Sequence, residues 1–408
     1  MNRCVRFCAS CGLILLLACS AAAAAQNYHV RKKLRIGVLV SLTGSWSTLG
    51  RNTEAALEIG AAQINVQSDA LHAGYRIELF VRDTQLVPEL ALEELKELDQ
   101  KGVTVVIGPQ SSAELALLKP YADAHDILLI SQASTASSLA IAGDNIFRFC
   151  PDDTLEAQAI TALMWHDGIR SLVLWWRGDA GNDGLHDSVR AAFLTRGGAV
   201  ADGYRYDPAT TDFTAGIADL SSQVAYYRAG ADPSTVAVYL AGFDEVVDIF
   251  EAASTDAVLN TATWYGSDGI ANSYALLSAP VGGAFAASVG FPNPAFGLDP
   301  ATEGAWRPLA TEIQQVTGVA PDAFALAAYD ALFVAYRALQ QSRGGKDFAL
   351  LKDKFVRIAN SYTGVTGPTA MNEAGDRVFS DFDFWAIRPV NGVLSWVVIG
   401  RYIDGTLY

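Results

Sequence analysis

The stretch from Val105 to Thr135, VVIGPQSSAELALLKPYADAHDILLISQAST, restricts what this chain can fold into more than any other. The apolar run Val103–Ile107 predicts a strand buried on both faces, ended by Gly108-Pro109. Ser111-Ser112-Ala113-Glu114 then reads as a capping box: Ser111 caps a helix, and Glu114 reaches back to the Ser111 amide. A second apolar run, Ile127–Ile130, ends in the small polar loop Ser131-Gln132-Ala133-Ser134-Thr135. Strand, helix and strand in this order build a parallel pair. Both strand ends bring hydroxyls and backbone amides to one edge of the sheet, the edge where open α/β sheets hold small ligands.

The alternation runs through the chain. Leu34–Val40 (LRIGVLV) reads as another strand buried on both faces, and the next helix carries Leu57, Ala61 and Ile64 at i, i+4, i+7. Tyr75–Val81 reads as a strand, and Pro88 suits the first turn of a helix with the stripe Ala91, Leu95 and Leu98. After Phe147-Arg148-Phe149-Cys150 the pattern restarts, with strands predicted over Ser171–Trp176, Thr235–Leu240 and around Ala262–Tyr265. Ser278–Glu303, rich in Gly, Ala and Pro, reads as irregular connection, and strong helices follow over Ala323–Gln341 and about Phe348–Ile358. The end, Phe382–Tyr408, alternates apolar and polar residues around Asn391-Gly392, a dipeptide favoured in tight hairpins. The expected class is α/β: two doubly wound parallel-sheet lobes, connected by several crossings, that close like a hinge. Residues 34–149 with 277–380 are expected in one lobe, and 150–276 with 381–408 in the other.

With 408 residues the chain can support two cores, and its net charge of −15 argues against nucleic acid and anionic membranes as partners. Arg3 and Arg6, the apolar Leu13–Leu17 and a small-residue end make residues 1–25 a secretory signal, too short in its apolar part to span a bilayer. Leu16-Leu17-Ala18-Cys19 resembles a bacterial lipobox, in which Cys19 becomes the lipidated first residue; cleavage near Ala23-Ala24-Ala25 is the other reading. A periplasmic or other extracytoplasmic protein is expected, free or lipid-tethered. Cys4, Cys8, Cys11 and Cys19 lie in the leader region. That leaves Cys150 without a disulfide partner, and it reads as a buried small hydrophobe.

Catalytic signals are weak. The sequence has no G-x-S-x-G, no P-loop and no G-x-G-x-x-G, and its histidines (His29, His72, His125, His166, His186) do not fall at metal-ligand spacing. No catalytic residue, metal or cofactor is expected. His125-Asp126 ends a helix, and Asp376-Arg377, Asp381 and Asp383 read as turn and surface residues. Binding signals are better. The helix start at Ser112 favours an anion, and Thr135 and the backbone of Ala133 approach it from the neighbouring strand end. Asp268, at a second-lobe strand end, is placed to pair with an ammonium. An anion trap on one lobe and an acid on the other describe a site for a zwitterion.

At these residues the sequence resembles the leucine/isoleucine/valine-binding protein family, the type I periplasmic solute-binding proteins of branched-chain amino-acid ABC transporters. The likeness runs from about Leu34 to the C-terminus through IGVLVSLTGSWSTLG, VVIGPQSSAE, ILLISQASTASSL, GDAGNDGL, VYLAGFDE, WYGSDGIAN and TGPTAMNEAGDR before FDFWAI. It implies a multi-strand hinge between the lobes. It also implies that Ser112, Ala133 and Thr135 hold the ligand's carboxylate and touch its ammonium, while Asp268, where relatives often have Glu, pairs with that ammonium. Phe243 matches an aromatic position that is often Tyr, keeping the ring without the hydroxyl. Gly181 falls where relatives place Tyr or Trp over the ligand, and the missing ring would leave room. Leu49 matches a side-chain pocket position, Trp46 lies near the mouth, and Trp264, inside a strand, is expected in the core.

The function implied is capture of an amino acid or related small amide and its delivery to an ABC permease in the inner membrane, by a monomer that is not an enzyme. A ligand-sensing component acting through a membrane signalling partner is the second reading, because fold alone does not choose between them. An amide hydrolase is the third.

Overall fold

In the computed structural model, which describes residues 32–379 and 381–408, strand β1 (Lys32–Val40) is buried without interruption from Ile36 onward. It pairs in parallel with β2 (Tyr75–Asp83) and β3 (Val105–Ile107), and β4 (Leu128–Ser131) and β5 (Ile146–Arg148) complete a five-stranded sheet in the order β2-β1-β3-β4-β5. The strand period of two sorts its side chains. Leu34, Ile36, Val38 and Val40 face Leu57, Ala61 and Ile64 of helix α1 (Ser47–Ala70), while Leu39 faces the stripes of α2 (Pro88–Gln100) and α3 (Ser112–Ala124). The signal and the lipobox reading lie outside the described residues.

The second lobe repeats the plan. Helix α4 (Asp153–His166) leads to β6 (Ser171–Arg177), α5 (Ala180–Thr195), β7 (Ala199–Val200), β8 (Tyr204–Tyr206), α6 (Thr214–Ala229), β9 (Val236–Ala241), α7 (Val246–Ala253) and β10 (Thr263–Gly266). Its strands are parallel in the order β10-β9-β6-β7, with β8 on β6 beyond β7. Trp264 is fully buried, its indole N–H on the Leu259 carbonyl at 3.0 Å.

The stretch read as irregular connection is ordered. After the short α8 (Tyr274–Ser278), α9 (Pro280–Val289) packs Phe285 on Phe250 at 4.8 Å between ring centroids, inside the second core. Its Gly and Ala content hid it from composition, although Pro280 at the first helical turn is a favoured start. The chain therefore returns to the first lobe through β11 (Asn293–Phe296), later than the expected boundary at 277. Helices α10 (Glu303–Thr317), α11 (Ala323–Gln341) and α12 (Phe348–Ala359) then pack on the first lobe. After the small ribbon β12 (Thr363–Gly364) and β13 (Gly367–Pro368), strands β14 (Phe382–Val390), β15 (Val393–Ile403) and β16 (Thr406–Leu407) join β11 in an antiparallel sheet. Asn391 and Gly392 both have positive φ (51° and 82°), as a two-residue hairpin turn with the strands' twist requires.

The crossings between the lobes run side by side: β5 into α4, β11, and the segment after Arg377 into β14, which pairs with β11. Here the reading of Asp376 and Arg377 as surface residues is corrected. Both are buried, at 2% and 1% exposure. The Arg148 Nε of β5 donates to Asp376 Oδ1, and its Nη1 donates to the carbonyls of Ser134 and Ala136. Arg377 donates to the Thr366 hydroxyl and carbonyl and lies over the Phe296 ring at 4.7 Å. Their polarity had suggested a turn, but both are buried and hydrogen-bonded inside the fold. Among the described residues no helix is long and apolar enough to cross a membrane.

Removing one partner of a buried ion pair leaves the other charge uncompensated. Asp376→Ala should therefore lower unfolding free energy by about 3–5 kcal/mol in urea titrations. A loss below about 1 kcal/mol, the size of an exposed pair, would contradict this account of the hinge.

Candidate functional site

The first wall of the site is the start of α3. Gly108 turns the chain with φ 100°, and a Cβ there would stand 2.0 Å from the Leu39 carbonyl oxygen, so only glycine fits. The capping box forms as read: Ser111 Oγ accepts the Glu114 amide at 3.3 Å, and Glu114 Oε2 accepts the Ser111 amide at 3.1 Å. These bonds leave the first-turn amides of Ser112 and Ala113 without an intrahelical acceptor. Ser131 Oγ ties the two loops together, donating to the Pro109 carbonyl at 2.6 Å and accepting the Ser134 amide at 3.0 Å. The Ser112 hydroxyl, read as aimed at a ligand, meets Ser134 Oγ at 2.9 Å and accepts the Ala136 amide at 3.2 Å. It stands on the cavity wall and also locks the loop pair.

Trp46, Ser112, Ala133 and Thr135 of the first lobe and Gly181, Phe243 and Asp268 of the second line one cavity of about 20 Å³. Leu49 lies off it, 1% exposed inside the first core. Trp46 and Phe243 face each other with centroids 4.7 Å apart, and the Trp46 amide donates to Asp244 Oδ2 at 2.8 Å, so the lobes touch directly. The room expected beside Gly181 is not there. A Cβ on Gly181 would meet Ser112 Cβ and Oγ at 3.4 Å, because the starts of α3 and α5 approach until they are in contact.

Two acids of the site were missed, and both come from α4. Asp152 caps that helix through the amides of Thr154 and Leu155, so Asp153 becomes its first residue and turns inward onto the cavity wall. Glu156, three residues on and thus on the same face, has its Oε1 on the Asp268 amide at 3.2 Å. Asp152-Asp153 followed by Glu156 was the available signal: one acid suffices to cap, and two remained without a task.

Burial dominates the electrostatics. It pushes the Asp153 carboxyl up to about 8; the Thr135 hydroxyl and Arg148 work against it, while Asp268 adds to it. Burial, then the charges of Asp268 and Asp153, hold Glu156 well above the usual carboxylate range. Glu156 is thus pushed toward its neutral form beside Asp268, whose carboxyl burial raises to about 6 and to which the Gly269 amide donates at 2.7 Å. Asp179, also on the wall, is paired with Arg177 at 2.8 Å. Cys150 is buried with its thiol on the Ser134 carbonyl at 3.3 Å, and burial raises its pKa, so it is no nucleophile. The assembled wall suits a small ligand with an anionic end at α3 and a cationic end at the acids.

A family profile described as periplasmic binding protein matches residues 33–388. An uncharacterized protein of Methanocaldococcus jannaschii is 26% identical over 398 residues, covering 93% of this chain and 92% of that protein. Glutamate receptor 1.1 of Arabidopsis thaliana is 26% identical over 168 residues, only 20% of the receptor. Among solved structures, a leucine binding protein LivK of Thermotoga maritima superposes with TM-score 0.70 at 19% identity, covering 90% of this chain and 98% of that one. The branched-chain amino acid binding protein LivJ of Streptococcus pneumoniae, in complex with isoleucine, gives TM-score 0.70 at 19% identity, covering 90% and 99%. A solute binding protein of Rhodopseudomonas palustris HaA2, in complex with p-hydroxybenzoic acid, gives 0.73 at 15%, covering 91% and 97%.

Two outcomes follow from this geometry. Asp153 binds a proton in the folded chain up to about pH 8 but only to about pH 4 when unfolded. Over that interval the native state holds the extra proton, so stability falls as pH rises, by at most about 1.4 kcal/mol per pH unit. Melting curves from pH 5 to 8 should fall more steeply for the parent than for Asp153→Asn; parallel curves would contradict the buried acid. At Gly181, Ala meets only ordinary van der Waals contact, whereas Trp would wedge the lobes apart at a cost of about 1–3 kcal/mol. Calorimetry should find Gly181→Ala close to the parent and Gly181→Trp at least about tenfold weaker for the same ligand.

Proposed function

We propose that this chain, which belongs to the periplasmic binding protein family, captures an amino acid or a related small amide between its lobes and delivers it to an ABC permease in the membrane. One observation carries the ligand class: the open amides of the α3 start and the carboxyl of Asp268 stand on opposite walls of one cavity. The helix start favours a carboxylate, and Asp268 favours an ammonium. Closure excludes water and strengthens both contacts.

Structural relatives of this chain include two whose bound ligands are amino acids and two whose ligands are hydroxybenzoates. The buried acids favour the former reading. A benzoate brings no cation to Asp268 or Asp153, and leaves both buried acids without a partner. The secretory leader read in residues 1–25 agrees with work outside the cytoplasm. A second reading, sensing through a membrane partner, draws support from the partial likeness to a plant glutamate receptor. Crosslinking the ligand-loaded protein in native membranes separates the two: recovered permease subunits support transport, and a recovered kinase or cyclase supports sensing.

Titration calorimetry against the twenty amino acids tests the ligand class. At least one should bind, and Asp268→Asn should weaken it by about 2–5 kcal/mol, the usual cost of truncating one side of a buried charge pair. Binding unaffected by that change would overturn the assignment.

A further inference from the structure

Among the described residues, Asp153 is the cavity-lining acid that the chain itself does not answer. Asp179 has Arg177, and Asp268 accepts the Gly269 amide on its carboxylate. Asp153 is 0% exposed, lines the cavity, and has no hydrogen bond to either carboxylate oxygen. The Thr135 hydroxyl lies beside it outside hydrogen-bond geometry. Arg148, the cation in its surroundings, spends Nε on Asp376 and Nη1 on the Ser134 and Ala136 carbonyls, and its Nη2 makes no hydrogen bond to Asp153. From α5 the chain presents Gly184, where even a Cβ would come within 3.0 Å of Asp153 Oδ2. Nor do these acids form a metal centre, since among the described residues no three such groups are placed to hold an ion.

A zwitterion with an apolar side chain brings one cation. If its ammonium takes Asp268, Asp153 stays buried without a partner, which is costly for any carboxyl and most of all for an ionised one. We propose that the cavity is built for a small organic cation of net charge +1, a diamino acid with its α-ammonium at Asp268 and a short side-chain ammonium at Asp153. This deepens the amino-acid reading above and rests on it. Asp153 and Asp268 line the same cavity, and the charge of Asp268 acts on Asp153, so the spacer between the two ammonium groups is short. Trp46 and Phe243, packed on each other at the cavity wall, give the methylenes an apolar neighbour. Asp153 is then the residue that separates cationic from apolar side chains, a task that Asp268, shared by every amino acid, cannot perform.

The test is calorimetry at pH 7.5 with L-2,4-diaminobutyrate, L-ornithine and L-leucine, on the parent and on Asp153→Asn. A diamino acid should bind at least about tenfold tighter than leucine to the parent, and Asp153→Asn should abolish that preference. The substitution keeps the side-chain shape, and its melting curve reports whether the variant is folded. Leucine binding as tightly as the diamino acids, or a preference that survives Asp153→Asn, would overturn this inference and leave the amino-acid reading standing. Binding of none of the three, with none of the other amino acids bound, would bring down both.

Discussion

The ion pair between Arg148 and Asp376 sets the conditions for everything around the cleft. It joins the last strand of the first sheet to the segment that leads back into the second lobe, so it holds two crossings of the hinge together. The same guanidinium donates to Ser134 and Ala136, whose loop carries Thr135 and Ala133 to the cavity wall. Its third consequence is electrostatic. Arg148 is near Asp153 but engaged elsewhere, so the acids of the cavity are not neutralised from within. A hinge built on this arginine leaves Asp153 without a hydrogen-bonded cation, which is the position the proposed ligand would fill.

The acids also explain how closure and capture are linked. Apart, the lobes leave Asp268 and Asp153 to water. Together, they bury both, which favours protonation and disfavours an empty closed state. A cation between the lobes reverses that balance, because a close opposite charge lowers a carboxyl's pKa while burial strengthens the attraction. Burial pushes Glu156 toward its neutral form, which limits the negative charge beside Asp268. The Trp46–Phe243 contact and the meeting of Ser112 with Gly181 are the apolar and steric parts of the same closure.

Most of the fold was legible in the sequence because strand burial and helix stripes leave strong periodic traces. β1, α3 with its capping box, and the Asn391-Gly392 hairpin follow from local chemistry alone. α9 was not legible, since two glycines and several alanines weaken any stripe and its partners Phe250 and Trp264 are distant in sequence. The lining of the cavity was legible where a residue type is tied to a strand end, as for Thr135 and Asp268. It was not legible where the role depends on what a neighbour leaves undone. Asp153 looks like one of two capping acids until Asp152 is seen to do the capping. Asp376 looks like a turn residue until Arg148 is found beside it. Gly181 suggested open space because a missing side chain says nothing about what moves in to replace it.

The most direct measurement is a crystal structure of the protein purified without ligand exchange, with the occupant of the cleft identified by mass spectrometry of the same sample. The account predicts an N–H group within about 3 Å of Asp268, a second at Asp153, and an anionic group on the amides of Ser112 and Ala113. A carboxylate or an uncharged ring packed against Asp153 and Asp268 would contradict it.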